Sequence, residues 1–423
     1  MCIRDSFGAD AVYFACDRFG LRQRASNFAL DDVPAAVVCA HTAGAKAYVA
    51  VNALMDADDV AALPAYLEAL DAAGADALIV SDLGAFSLAR KHAPHADLHV
   101  STQAGVMNAV AARMWHELGA SRVVCAREMS VEDIARMRAD APRDLELEAF
   151  VHGAMCMAVS GRCLLSSAMA GRSGNKGHCA QPCRWSYALV EEQRPGEFYP
   201  VEEDVRGTYV MNAQDLCMVE HLDDLIAAGV DSLKIEGRNK KAFYVATVVG
   251  AYRRVLDGEP PDEVADELLA VSHRPYGTGF YFSEAEQAPA YDGYEQETMH
   301  IADVVAGDPH HLYLLCRNRF AEGDELEVLA PHEPSRRLIV RDLHWLNTFG
   351  PDNHDEDAPA TVEEALTRAT TADWEAAAVA NRSCNLYRIL VEGGACGGAP
   401  AAHVPEGSFL RKRTFRRSAR HGS

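Results

Sequence analysis

The chain has 423 residues and a formal net charge of −22, from 40 Lys and Arg against 62 Asp and Glu. With 49% hydrophobic and 24% charged residues it has the composition of a globular protein of two or three domains, which excludes a disulfide-stapled peptide and a largely disordered chain. No apolar run approaches the roughly 20 residues that cross a bilayer and no signal-type leader is visible, so no membrane association and a cytoplasmic setting are expected, while the acid excess argues against a surface coated for nucleic acid.

From residue 11 to 238 short β-rich segments alternate with Ala-rich amphipathic helices, the pattern of parallel strands covered by helices. The strands read are AVYF (11–14), AYVAVN (47–52), ALIVSD (77–82), LHVSTQ (98–103), RVVCAR (122–127), LELEAFVHG (145–153) and SLKIEGR (232–238). Helix endings in AGAD, LGAS and AGVD supply a Gly stop before the next strand, and KKAFYVATVVGAYRRVL reads as the last barrel helix. These seven strands fall one short of a (β/α)8 barrel. Most of them finish in a polar residue: Asn52, Asp82, Gln103, Arg127, His152, Glu236 and Arg238. In such a barrel the C-terminal strand ends form the active rim.

The expected organisation is α/β: a TIM-like (β/α)8 barrel over 1–258 that is one strand short, with a cysteine-rich insertion over 154–212. A linker helix and loop follow over 259–294, then a small β-barrel domain over 295–423. A hairpin within the insertion would pair WSYALVEEQ with GTYVMN. In the last domain MHIADVVAG, HLYLLCRN, DELEVLAP and RRLIVRDL read as antiparallel strands. The acidic run PDNHDEDAPATVEEALTRATTADWEAAA reads as a solvated insertion, and the cationic tail RKRTFRRSARHGS as a solvated end.

Of the twelve cysteines, Cys39, Cys125 and Cys316 sit in apolar runs and read as buried core thiols. Cys156, Cys163, Cys179 and Cys183 differ, because they form C-x6-C-x15-C-x3-C in Gly-rich, polar surroundings. Four unrelated thiols or a metal site are the alternatives. Zinc favours tighter knuckles, whereas a long irregular loop suits the wider [4Fe-4S] cluster. Residues 149–190 contain no Asp or Glu but do contain Arg162, Arg172, Lys176 and Arg184, as a negatively charged thiolate cluster or a phosphate backbone would require. There is no H-E-x-x-H, G-x-S-x-G, P-loop or G-x-G-x-x-G.

The segment ELEAFVHGAMCMAVSGRCLLS, together with GADAVYF, STQAGVMN, GHCAQPCRW, SLKIEGR and SHRPYGTGFYF, resembles the peptidase U32 family, the collagenase-like proteases, over roughly residues 8–410. Within it, CLLSSAMAGR, NKGHCAQPCRWSYAL and EEQRPGEFYP resemble the members that hydroxylate tRNA. The resemblance implies an iron-sulfur enzyme forming 5-hydroxyuridine at the tRNA wobble position in a prephenate-dependent manner, with Cys156, Cys163, Cys179 and Cys183 as ligands. Other members of the family imply alternatives: a peptidase, or hydroxylation of ribosomal RNA or of a ubiquinone precursor. A further reading is a scaffold in which zinc holds the cysteines. Relatives begin with an additional strand where this chain has MCIRDS, which reads as a foreign prefix and would leave the barrel with an unpaired edge.

On that reading His152 and Glu236 are candidates for proton transfer. Arg127, Lys234, Arg238 and Gln103 are candidates for holding prephenate or another small organic acid, with ion pairing to Glu128, Glu236 or helix ends as the competing role. Arg162, Arg172, Lys176 and Arg184 are candidates for RNA phosphates, or for screening the cluster.

Overall fold

The computed structural model describes residues 7–21, 27–156, 163, 165–182, 188–190, 198–200, 214–237, 240–283, 295–351, 359–390 and 404–414. The prefix, GTYVMN, Arg162, Cys183, Arg184 and Arg238 lie outside the described residues. The chain divides into two compact units. One comprises Met1–Asp5, Ala9–Lys241 and His273–Tyr294; the other comprises Ser6–Gly8, Ala242–Ser272 and Glu295–Ser423.

The first unit carries seven parallel strands in chain order: β1 (Ala11–Phe14), β2 (Lys46–Val51), β3 (Ala77–Val80), β4 (Asp97–Val100), β5 (Arg122–Val124), β6 (Glu146–Ala154) and β10 (Ser232–Ile235). They stand where the sequence places them. The connecting helices are α1 (Val33–Thr42), α2 (Ala57–Ala72), α3 (Leu83–His92), α4 (Ala109–Glu117), α5 (Val131–Asp140), α6 (Leu165–Ala170) and α7 (Leu222–Ala227). Strand ALIV of β3 is buried throughout, as expected when both faces of a parallel sheet are covered.

Local chemistry sets the punctuation. Asp56, Asp82, Asn108 and Ser130 cap α2, α3, α4 and α5, each side chain accepting from a first-turn N–H. The Gly stops hold: Gly74, Gly119 and Gly229 take φ of 79°, 107° and 87°, a left-handed turn that releases the chain toward the next strand. The two outermost parallel strands approach each other through side chains, Lys234 Nζ of β10 lying 4.5 Å from the centre of the Tyr13 ring on β1. Among the described residues β1 pairs as a strand only with β2, and β10 only with β6.

Several expectations are corrected. The described hairpin pairs β7 (Ala188–Val190), within WSYALVEEQ, with β8 (Phe198–Pro200), while the expected partner GTYVMN lies outside the described residues. The sheet also gains β9 (Asp215–Cys217), antiparallel to β6, and β11 (Tyr276–Gly277), parallel to β9. Part of the expected linker is therefore sheet. It is fastened by Arg274, whose buried guanidinium donates to Asp215 at 2.7 Å and 3.0 Å, and by Tyr281, whose hydroxyl donates to the Phe150 carbonyl at 2.6 Å.

In the second unit, α8 (Ala242–Leu256), expected as the last barrel helix, packs with α9 (Pro261–Leu269) beside an antiparallel sheet. Phe243 of α8 stacks on His300 at 4.9 Å and meets Phe409 edge-on at 5.7 Å. The sheet has eight strands: β12 (Thr298–Gly307), β13 (His311–Cys316), β15 (Glu325–Leu329), β16 (Arg336–Ile339), β17 (His344–Leu346), β18 (Trp374–Ala376), β20 (Leu386–Leu390) and β21 (Phe409–Arg413). Their order is β16-β15-β21-β12-β13-β20-β17-β18, and a two-stranded sheet pairs β14 (Phe320–Ala321) with β19 (Val379–Ala380).

The start of the cationic tail is therefore an internal strand rather than a solvated end. Arg411 is fully buried between Glu267 at 2.5 Å and Glu327 at 2.8 Å. The acidic run likewise supplies structure: β18 is the end strand of this sheet, and α10 (Val362–Arg368) packs with it through Ala365, Leu366 and Trp374. Cys125 and Cys316 are buried as expected, whereas Cys39 on α1 is half-buried.

Candidate active site

The C-terminal strand ends of the first unit enclose a cavity of about 90 Å³. Every parallel strand or the turn that follows it contributes, including Tyr13, Asn52, Ile79, Ser101, Gln103, Arg127, Phe150, Lys234 and Glu236. The expected rim residues Asn52, Gln103, Arg127 and Glu236 are thus brought together with Lys234. A concave site with convergent polar groups at this end of a parallel sheet is where ligands bind.

Arg127 is held flat, its guanidinium carbon 3.8 Å from the centre of the Phe150 ring and its Nη1 donating to the Ala154 carbonyl at 2.8 Å. Its Nη2 stands 3.7 Å from Glu236 Oε2, an ion pair too long to be a hydrogen bond. Aromatic stacking and one backbone acceptor orient a planar fork that retains donors for a carboxylate or phosphate.

Lys234 pairs with neither Glu128 nor Glu236. Its ammonium donates to Glu148 Oε1 at 2.6 Å inside the sheet. The register explains this choice, because Ser232 lies opposite Glu148 and Lys234 opposite Phe150, so Lys234 and Glu148 share one face of adjacent strands. Arg122 donates to the other oxygen of Glu148 at 2.9 Å and to Glu146, and Ser232 donates to Glu148 at 3.0 Å. Burial alone pushes the Glu148 carboxyl up, but Lys234 and Arg122 pull harder and hold it down at about 2. Close by, His99 is pushed down to about 3 by burial and by Arg122, which keeps it neutral, with its ring edge-on to Tyr48 at 4.8 Å. The sequence shows these charges singly; only strand register brings them together.

His152 does not line the cavity. The β6–β10 register slips by one residue between Lys234 and Ile235, which leaves Val151 as an extra residue in β6. Such a bulge re-aims the next side chain, and the His152 ring lies instead 5.3 Å from the Tyr276 ring. Burial pushes the imidazole down to about 3, against the opposing pull of Asp215. The next residue must be glycine. Gly153 has φ of 109°, and a β-carbon there would stand 2.6 Å from the Glu236 carbonyl oxygen, a distance no side chain tolerates.

The cysteine segment joins this rim. Cys156 and Cys179 are exposed and Cys163 is half-buried. Two of the three sulfurs accept backbone N–H groups, from Leu165 to Cys163 and from Gln181 to Cys179, both at 3.3 Å. Accessible thiols that accept N–H donors, in a stretch free of carboxylates, have the donor chemistry of a thiolate-bound iron-sulfur group. The fourth expected ligand, Cys183, is outside the described residues, and among those described no three His, Cys, Asp or Glu side chains are gathered as a metal centre.

Lys176 meets carboxylates of the β2–α2 loop and of α2. It is paired with Asp56 and, at 2.9 Å, with Asp59. Arg172 is half-buried on the same segment, and its backbone N–H donates to the Ser166 carbonyl at 3.2 Å.

Comparisons with known proteins bear on this geometry. The family model described as Peptidase family U32 matches residues 5–290. A tRNA hydroxylation protein P1 of Bacillus subtilis (strain 168) is 37% identical, over 77% of this chain and 79% of that protein. A tRNA hydroxylation protein P of Escherichia coli (strain K12) is 33% identical, over 77% of this chain and 83% of that protein. A 23S rRNA 5-hydroxycytidine C2501 synthase of Escherichia coli (strain K12) is 34% identical over 77% of this chain, which spans 50% of that longer protein.

Proposed function

This chain belongs to peptidase family U32, and from that premise we propose that it is an RNA-modifying enzyme that hydroxylates the wobble uridine of tRNA to 5-hydroxyuridine, with prephenate as co-substrate. The relatives named for tRNA hydroxylation, matched over most of both chains, support the substrate. The observation that carries the site is the cavity where Arg127, Lys234, Gln103 and Glu236 converge.

The seven parallel strands are read as a (β/α)8-type barrel working from its C-terminal face, in a cytoplasmic setting. Arg127, stacked and oriented, would bind the carboxylate of the organic acid by a two-pronged contact. Lys234, anchored by Glu148, would supply a second positive charge, and Gln103 an amide to orient the ligand. Glu236, beside Arg127 at the cavity wall, would accept or return a proton. His152 takes no such part in this reading, because it lies outside the cavity lining.

Cys156, Cys163, Cys179 and Cys183 would hold a [4Fe-4S] cluster, and a bound cluster supplies one-electron chemistry that side chains lack. The N–H bonds to Cys163 and Cys179 support that ligand set by orienting the sulfurs and tuning their charge. Arg172, with Arg162 and Arg184, would screen that charge or meet RNA phosphates.

Nucleoside mass spectrometry of tRNA from a deletion strain, complemented with the wild type or with Cys179→Ala, tests the reading. The expected result is loss of 5-hydroxyuridine-derived nucleosides in the deletion, restored only by the wild type. Unchanged nucleosides in the deletion overturn it. The rRNA synthase relative supports a second reading, hydroxylation of a ribosomal cytidine, which the same measurement on rRNA distinguishes.

A further inference from the structure

We propose that Asn175 and Lys176 are positioning residues that latch the cysteine segment onto the loop between β2 and α2, fixing the cysteines relative to the cavity. The proposal rests on the reading above only in taking those cysteines as ligands.

The contacts run in two directions from consecutive residues. Toward the cysteines, Asn175 Oδ1 accepts the backbone N–H of Cys163 at 3.1 Å. Toward the sheet, the carbonyl of the same Asn175 accepts the N–H of Leu54 at 3.2 Å. Gly174, which precedes Asn175, lies beside both cysteines: a β-carbon there would stand at ordinary contact distance, 3.6 Å from Cys179 Cβ and 3.9 Å from the Cys163 carbonyl oxygen.

Lys176 adds the charge. Asp56 caps α2 by accepting the N–H groups of Asp58 and Asp59, and the positive end of a helix repels a cation. The ammonium sits there because Asp56 and Asp59 both face it. A single exposed pair contributes little. Two carboxylates on one ammonium, next to two backbone-directed hydrogen bonds, define a docking point.

The mount is stiff and short. Asn52, two residues before Leu54, lines the cavity. Its side chain accepts from Leu21 N–H at 3.2 Å and donates to Ser101 at 3.4 Å, and its carbonyl accepts from Ser81 at 3.0 Å. Those partners tie the same loop to the ends of β3 and β4. A displacement of the cysteine segment is thus transmitted to the cavity wall through Asn175, Leu54 and Asn52, a contiguous bonded path.

Hydrogen-exchange mass spectrometry on the full chain, purified anaerobically, tests the latch in Asn175→Ala, Asn175→Asp, Lys176→Gln and Lys176→Arg. Asn175→Ala and Lys176→Gln should speed exchange of the Cys163 and Leu54 amides at least tenfold and hasten loss of iron to a chelator, with exchange in β4 and β13 unchanged. Asn175→Asp keeps the acceptor and Lys176→Arg keeps the cation, so both should keep wild-type exchange at the two amides. In tRNA hydroxylation, kcat should fall while KM for tRNA stays constant. Exchange at both amides unchanged in Asn175→Ala and Lys176→Gln overturns the latch, as does failure of the conservative variants to restore it. Altered exchange in a protein that binds no iron and leaves tRNA unmodified upholds the latch and rejects the functional reading instead.

Discussion

Replacing Lys234 with Met deletes the cation that most strongly holds Glu148 inside the parallel sheet. Side chains of the pair are 9% and 5% exposed and 2.6 Å apart, so water cannot substitute for the lost partner. The Glu148 carboxyl titrates at about 2 instead of its ordinary 4.5, a gap worth about 3 kcal/mol at 1.36 kcal/mol per pH unit. Arg122 and Ser232 remain, but breaking a buried pair from one side typically costs about 3–5 kcal/mol, and a loss in that range is expected at pH 7. The sign with pH is fixed: a depressed carboxyl stabilises the fold above about 4.5, and that contribution fades as pH falls through about 2. The deficit of Lys234→Met should therefore be largest at neutral pH and shrink below pH 4. Urea unfolding followed by hydrogen exchange in peptides of β6 and β10 reads the first unit alone. A loss below about 1 kcal/mol, or a deficit that does not change between pH 6 and pH 3, would refute the assignment of Glu148 as a charge held by Lys234.

Two other outcomes follow from buried charge. His99 and His152 are both pushed down to about 3, chiefly by burial, so each should withdraw stability as pH falls from about 6.5 toward 3, by about 1.4 kcal/mol per pH unit. Substituting His152→Gln should flatten the pH slope of the unfolding free energy, read from urea titrations between pH 6 and pH 4, by that amount; an unchanged slope contradicts a neutral buried imidazole. In the second unit, Arg411→Ala leaves Glu267 and Glu327 facing each other without their shared cation and should cost about 3–5 kcal/mol. Exchange in β12 and β15 peptides checks it, and protection equal to the wild type rejects it.

The sequence carried the periodic parts of this molecule. All seven parallel strands and the Gly stops were legible because alternation, caps and turn residues are local signals. Asn52, Gln103, Arg127 and Glu236 could be named as rim because each ends such a strand. What stayed hidden depends on pairing between distant residues. His152 ends its strand as the others do, but the extra Val151 turns it away from the cavity, and nothing in VHG announces a bulge except the glycine that permits it. Lys234 has acidic neighbours in sequence, yet its partner is 86 residues away. The run RKR has the composition of a solvated tail. It is a strand because Glu267 and Glu327 supply the missing charge from other elements. Strands of two or three residues, such as β9 and β11, have too few positions to show a period at all.

The position of β21 has a consequence for biosynthesis. It is the last described strand to leave the ribosome, yet it stands third in an order of eight, between β15 and β12. Until it arrives, β16-β15 and β12-β13-β20-β17-β18 are two separate ribbons, each with a raw edge open to pairing with other chains. The second unit therefore closes only after translation has passed Arg413, and the burial of Arg411 that completes it turns a solubilising cation into the final internal piece. Nascent chains stalled before this point should be handled by the cell as aggregation-prone clients rather than as nearly finished protein.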